Sequence, residues 1–140
     1  MESFIVIENI TSTPEWEQIF KTTIAMCEEF SVAYPNGEFD EENPLLTGKL
    51  DFERIPNLSV TPWPNMADSS MYRGSLNDFS RNLFEQYMFN RRYDWLWNFS
   101  FYKSGIEILN VQDFTVCLIE PIPELLEMLN KQNIDLLNLE

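Results

Sequence analysis

The chain has 140 residues, with 23 acidic side chains against 9 basic ones, a net charge of −14 and no histidine. That length fits one domain, and the 44% hydrophobic and 14% aromatic content argues against intrinsic disorder. The charge disfavours direct binding to nucleic acid or an anionic membrane, and the missing histidine removes Ser-His-Asp and Cys-His chemistry and most zinc sites.

Residues 4–10 predict a short strand, carried by Phe4, Ile5, Val6 and Ile7. No basic segment precedes that run, and Glu8 breaks it, so it does not read as a signal peptide. No stretch approaches the roughly 18 apolar residues that span a bilayer. Cys27 and Cys117 are far apart in apolar surroundings and read as buried, reduced thiols. Together these features predict a cytoplasmic protein.

A helix is expected over residues 14–33, with Thr13 as its cap and Pro14 at its first position. Trp16, Ile19, Phe20, Thr23, Ile24, Cys27 and Phe30 recur at spacings of three and four and form one stripe. Glu17 and Lys21 are spaced for an i,i+4 pair. Pro35, Asn36 and Gly37 supply a turn, followed by an acidic loop holding Glu38, Asp40, Glu41 and Glu42. Residues 49–54 alternate and read as a strand with Asp51 and Glu53 on its wet face, as edge charges that deter aggregation. Residues 56–74 hold Pro56, Pro62 and Pro64 and read as a long irregular connection.

A second helix is expected from a Ser75 cap to about Arg91, with Leu76, Phe79, Leu83 and Tyr87 on its inner face. Tyr93, Trp95, Trp97, Phe99 and Phe101 then alternate with other residues as one apolar face of a strand. A hairpin at Lys103, Ser104 and Gly105 leads to strands over residues 106–111 and 114–119, with Gln112 and Asp113 at the turn between them. Pro121 or Pro123 opens a last helix that buries Leu125, Leu126 and Leu129, and the tail after it is apolar enough to pack. The order is β-α-β-loop-α-β-β-β-α. It predicts a single α+β domain over residues 1–140, an antiparallel meander with helices packed on one face.

The charge is uneven. Residues 1–42 carry −9, residues 43–110 are balanced, and residues 111–140 carry −5. No EF-hand spacing, phosphate-binding glycine loop or histidine–nucleophile pair is present, and the lysines stand in contexts that look exposed. The expectation is therefore no enzyme, no metal and no cofactor. The acids Glu28, Glu29, Glu38, Asp40, Glu41 and Glu42 form the candidate contact surface for a basic partner. Trp63 and Tyr72, in the proline-punctuated connection, are its candidate aromatic contacts. The functional class this predicts is a non-catalytic inhibitor of a nucleic-acid-handling protein, either a toxin immunity protein (an antitoxin) or a DNA-mimic, anti-defence inhibitor. The alternative is a structural or regulatory interaction module that forms a homodimer through a sheet edge or aromatic face.

Overall fold

The computed structural model describes residues 4–90 and 95–139. Seven strands form one antiparallel sheet: β1 (Ile5–Ile7), β2 (Glu29–Pro35), β3 (Ser59–Pro62), β4 (Ser69–Ser75), β5 (Phe99–Lys103), β6 (Ile106–Gln112) and β7 (Val116–Ile119). The helices are α1 (Trp16–Met26), α2 (Lys49–Glu53), α3 (Asp78–Phe89) and α4 (Pro123–Asn130). The strand order is β1-β7-β6-β5-β2-β4-β3. The fold is α+β, with the meander β5-β6-β7 flanked by β1 on one side and β2-β4-β3 on the other.

All four helices cover one face of the sheet. Phe30, Val32 and Tyr34 of β2, Phe99 and Phe101 of β5, Leu109 and Val111 of β6, and Cys117 and Ile119 of β7 point into that layer and are buried. Phe84 of α3 is fully buried at its centre, with ring centroids 5.3 Å from Phe30, 4.8 Å from Phe52, 5.4 Å from Phe99 and 5.0 Å from Phe101. Aromatic rings at these separations add to the gain from burial itself.

The expected helix over residues 14–33 is divided. The chain leaves α1 at Met26 and enters β2, the strand between β4 and β5. Phe30 to Tyr34 are buried without alternation because both faces of this strand are covered, so the periodicity that Cys27 and Phe30 seemed to extend belongs to two elements. The exposed carbonyls at the end of α1 are met from elsewhere. Arg81 of α3 donates from Nε to the Ile24 carbonyl (3.0 Å) and from Nη2 to the Cys27 carbonyl (2.8 Å). At the other end, Thr13 closes a 3-10 turn over Ile10–Ser12 instead of capping α1, and Pro14 precedes the cap position, Glu15. The Glu17–Lys21 pair forms at 2.7 Å.

Residues 49–54, expected as a strand, form helix α2 (Lys49–Glu53) and its C-cap, Arg54. Gly48 precedes it with φ +84°, and the turn it permits sends Phe52 into the aromatic cluster while Leu50 stays 43% exposed. Asp51 and Glu53 are not edge charges. They accept hydrogen bonds from the phenols of Tyr87 (2.6 Å) and Tyr72 (2.9 Å) and tie α2 to α3 and β4. Residues 56–74, expected as irregular, are largely the hairpin β3-β4; Pro62 is tolerated because β3 is an edge strand.

The cap of α3 is Asn77, not Ser75. Its Oδ1 accepts from Ser80 N–H (3.0 Å) while Ser80 Oγ accepts from Asn77 N–H (2.9 Å), a reciprocal capping box. Phe79, expected inside, is 60% exposed. The expected end of this helix at Arg91 and the first rung of the aromatic ladder at Tyr93 lie outside the described residues. The ladder begins only at Phe99, because Leu96 and Trp97 are buried side by side and end the alternation.

Ser104 (φ +51°) and Gly105 (φ +79°) make the two-residue hairpin turn, and Asp113 and Phe114 turn the next, so β7 starts at Val116. Pro123 opens α4, Leu125 and Leu129 are buried and Leu126 is half-buried; Ile134 and Leu136 of the tail are buried as well. Both cysteines are buried and unbonded. Among the described residues, no helix is long and apolar enough to cross a membrane.

Candidate interaction surface

The acidic loop leaves β2 at Pro35 and re-enters structure at the 3-10 turn Pro44–Leu46. Its two ends are held firmly. Lys49, expected to be exposed, is buried, and its Nζ donates to the carbonyls of Pro35 (2.9 Å) and Gly37 (3.0 Å). Tyr34 donates its phenol hydrogen to the Thr47 carbonyl (2.8 Å). Asn36 N–H donates to the Asp68 carbonyl (2.8 Å), and Ser70 Oγ donates to Asn36 Oδ1 (2.6 Å), so the β3-β4 turn is fastened to the loop. Between these fixed ends Glu38, Asp40, Glu41 and Glu42 are exposed, and none of the four is ion-paired among the described residues. Asp40 Oδ1 accepts from Glu42 N–H (2.9 Å), which shapes the loop locally. Phe39 stands among them, 40% exposed.

The six acids do not form one patch. Glu28 and Glu29 are at the start of β2, separated from the loop by the length of that strand, about 20 Å. They are also engaged: Glu28 Oε1 accepts from Ser104 N–H (3.0 Å) and Glu29 pairs with Arg73 (3.0 Å).

The two aromatic candidates point to opposite faces of the sheet. Tyr72 is buried on the helical face, against Tyr34, and burial, reinforced by the Glu53 carboxylate, pushes its phenol up to about 12. It is a core residue, not the exposed aromatic that the sequence led us to expect. Trp63 is half-buried on the other face, 5.3 Å from Trp97 and nearly perpendicular to it, at the same end of the sheet as the acidic loop.

That second face is concave and polar. Ser31, Ala33, Trp63, Asn98, Ser100, Tyr102, Glu107 and Asn110 are among the residues enclosing a cavity of about 120 Å³. Its floor is three buried polar residues on neighbouring strands, Ser31 of β2, Ser100 of β5 and Asn110 of β6. A bulge builds the wall. Phe101 pairs with Leu109 but Tyr102 pairs with Glu107, leaving Ile108 as an extra residue. In a regular strand Glu107 would share the core face with Leu109; the extra residue turns it to the polar face beside Tyr102. There Glu107 Oε2 accepts from Ser100 Oγ at 2.6 Å.

Phe39 and this polar row went unrecognised in the sequence. The available signals were an aromatic flanked by acids at Glu38 and Asp40, and Ser31, Ser100 and Asn110 inside otherwise apolar strand runs. Among the described residues, no three His, Cys, Asp or Glu side chains are grouped to hold a metal ion. No protein-family model, curated protein or solved structure matches the chain.

Proposed function

We propose that this protein is a non-catalytic acidic inhibitor of a basic, nucleic-acid-handling protein. The observation that carries the reading is the loop around Phe39, fastened at both ends and at the same end of the sheet as Trp63, whose four carboxylates are in no ion pair among the described residues. Unpaired surface carboxylates steer a cationic partner into encounter, and a central aromatic supplies contact that persists after docking. Residues 38–42 span at most about 14 Å, about four base-pair steps of a duplex. So compact a cluster favours an immunity protein closing a toxin's cleft; DNA mimicry, which needs a longer stripe of charge, is the second form of the same reading. Two buried thiols suit a reducing compartment, and the reading places the protein in the cytoplasm.

The test uses wild type and an E38Q/D40N/E41Q/E42Q variant as bait in an extract of the source organism at low and raised salt. The captured protein is identified, and its nuclease or DNA-binding activity is assayed with and without the bait. A basic protein held by wild type, released by salt, lost by the variant and inhibited when bound supports the reading. Equal capture by both baits, or a captured protein whose activity is untouched, refutes it.

A second reading, a homodimer, draws on the free edge of β1. Phe4 and Val6 are 45% and 53% exposed there, beside a groove of about 560 Å³ of mixed polar and apolar lining that reaches Leu136 and Leu139. Sedimentation equilibrium at micromolar concentration decides it: a dimer supports this reading and a monomer removes it.

A further inference from the structure

We infer that the concave polar face of the sheet is a socket for a single arginine side chain of the basic partner, an inference that rests on the reading of that partner as basic. The cavity of about 120 Å³ holds about four waters, well below the few hundred Å³ that a nucleotide or cofactor requires, but enough for one side-chain head group.

All but one of the side-chain hydrogens on its floor are already committed. Asn110 Nδ2 donates to the Phe99 carbonyl (3.1 Å) and Ser100 Oγ (2.8 Å), with a longer contact to Asn98 Oδ1 (3.4 Å). Ser100 in turn donates to Glu107. Ser31 and Tyr102 share a hydrogen bond at 2.9 Å, which leaves one hydroxyl hydrogen between them. Asn110 Oδ1 and Glu107 Oε1 remain as acceptors with no donor among the described residues. Surplus oxygens on the floor and on the exposed wall, where Glu107 adds a carboxylate, select a cation rich in donors.

The charges around it are consistent with that occupant. Arg73, the strand partner of Ser31, lies over the Tyr102 ring at 3.9 Å and is paired with Glu29, so its charge is compensated. Lys103 is directed away, toward the Met26 carbonyl and Glu124. Guanidinium is preferred over ammonium because its donors lie in one plane and its hydration is weaker, so a shallow polar socket strips it at lower cost.

The experiment is a titration of ¹⁵N-labelled protein, at fixed ionic strength, with N-methylguanidinium, N-methylammonium and the neutral analogue N-methylurea. Saturable shifts of the Asn98 and Asn110 side-chain amides and the Trp63 indole are expected with N-methylguanidinium in the millimolar range. Glu107→Gln keeps an acceptor for Ser100, so the fold persists, but it weakens that binding at least tenfold. The E38Q/D40N/E41Q/E42Q variant binds as wild type does. Equal shifts with N-methylurea, tighter binding of N-methylammonium, or an unaffected Glu107→Gln variant overturns the assignment. The two readings fail separately. A basic protein captured through the acidic loop while these resonances stay still removes the socket alone. Saturable N-methylguanidinium binding with no basic protein captured removes the inhibitor reading.

Discussion

Gly48→Ala tests how the acidic loop is held. Gly48 has φ +84°, and a Cβ there would meet Leu96 Cδ2 at 2.9 Å and Tyr34 Oη at 3.0 Å. The left-handed conformation costs a residue with a Cβ about 1–2 kcal/mol, and forcing a methyl into a packed site adds about 1–3 kcal/mol. A central value is therefore about 3 kcal/mol, a large share of the 5–15 kcal/mol typical of a domain. With an unfolding entropy of about 2 cal/mol/K per residue, a chain of this length loses roughly 10 °C in Tm. Urea melts followed by tryptophan fluorescence give the stability, with the slope expected to stay unchanged. Gly48→Asn separates the two costs, because asparagine tolerates positive φ yet carries the same Cβ. In the pair Gly48→Ala and Leu96→Ala, removal of the Leu96 methyls should recover about 1 kcal/mol of coupling. A Gly48→Ala cost under about 1 kcal/mol, or no coupling to Leu96, would refute the claim that this close approach fixes the base of the loop.

The loop variant E38Q/D40N/E41Q/E42Q should bind the captured basic partner about fivefold more slowly, since four screened charges near 10 Å together contribute about 1 kcal/mol; stopped-flow association measures it, and its Tm should not fall. Phe84→Ala should cost about 3–5 kcal/mol, because it empties the centre of five packed rings, and urea denaturation checks it. Cys27 and Cys117 should resist an aromatic disulfide reagent at pH 8 and react at once in denaturant; burial pushes the Cys27 thiol up to about 12 and raises Cys117 as well. Tyr72 is raised from 10.0 to about 12 in the fold, so the folded state holds that proton more tightly than the unfolded chain. Its contribution is complete below pH 10 and is lost as pH rises toward 12; urea midpoints across that window should fall, and less steeply in Tyr72→Phe.

The parts of the fold legible in the sequence are those whose cause is local. Ser104 and Gly105 adopt positive φ as a tight hairpin demands, Pro123 begins α4, and the apolar stripe from Trp16 to Ile24 is a helix because its neighbours are three and four residues away. The charge, too, was readable: the loop from Glu38 to Glu42 is exposed as its composition implied, and −14 is a property of composition alone.

Tertiary structure decided the rest. Phe30 to Tyr34 became a strand because two distant strands pair with its two edges, and side chains lying over both faces of the sheet bury it throughout, which erases the alternation that would have announced it. Lys49 to Glu53 became a helix because Gly48 turns the chain and the phenols of Tyr72 and Tyr87 capture its carboxylates. The separation of Trp63 from Tyr72, and of Glu28 and Glu29 from the acidic loop, follows from pleat parity and strand length. The placement of Glu107 follows from a single extra residue at Ile108. In each case the physical reason is the same. Local sequence fixes what a residue prefers, but the face it occupies is set by partners that only the folded chain brings alongside.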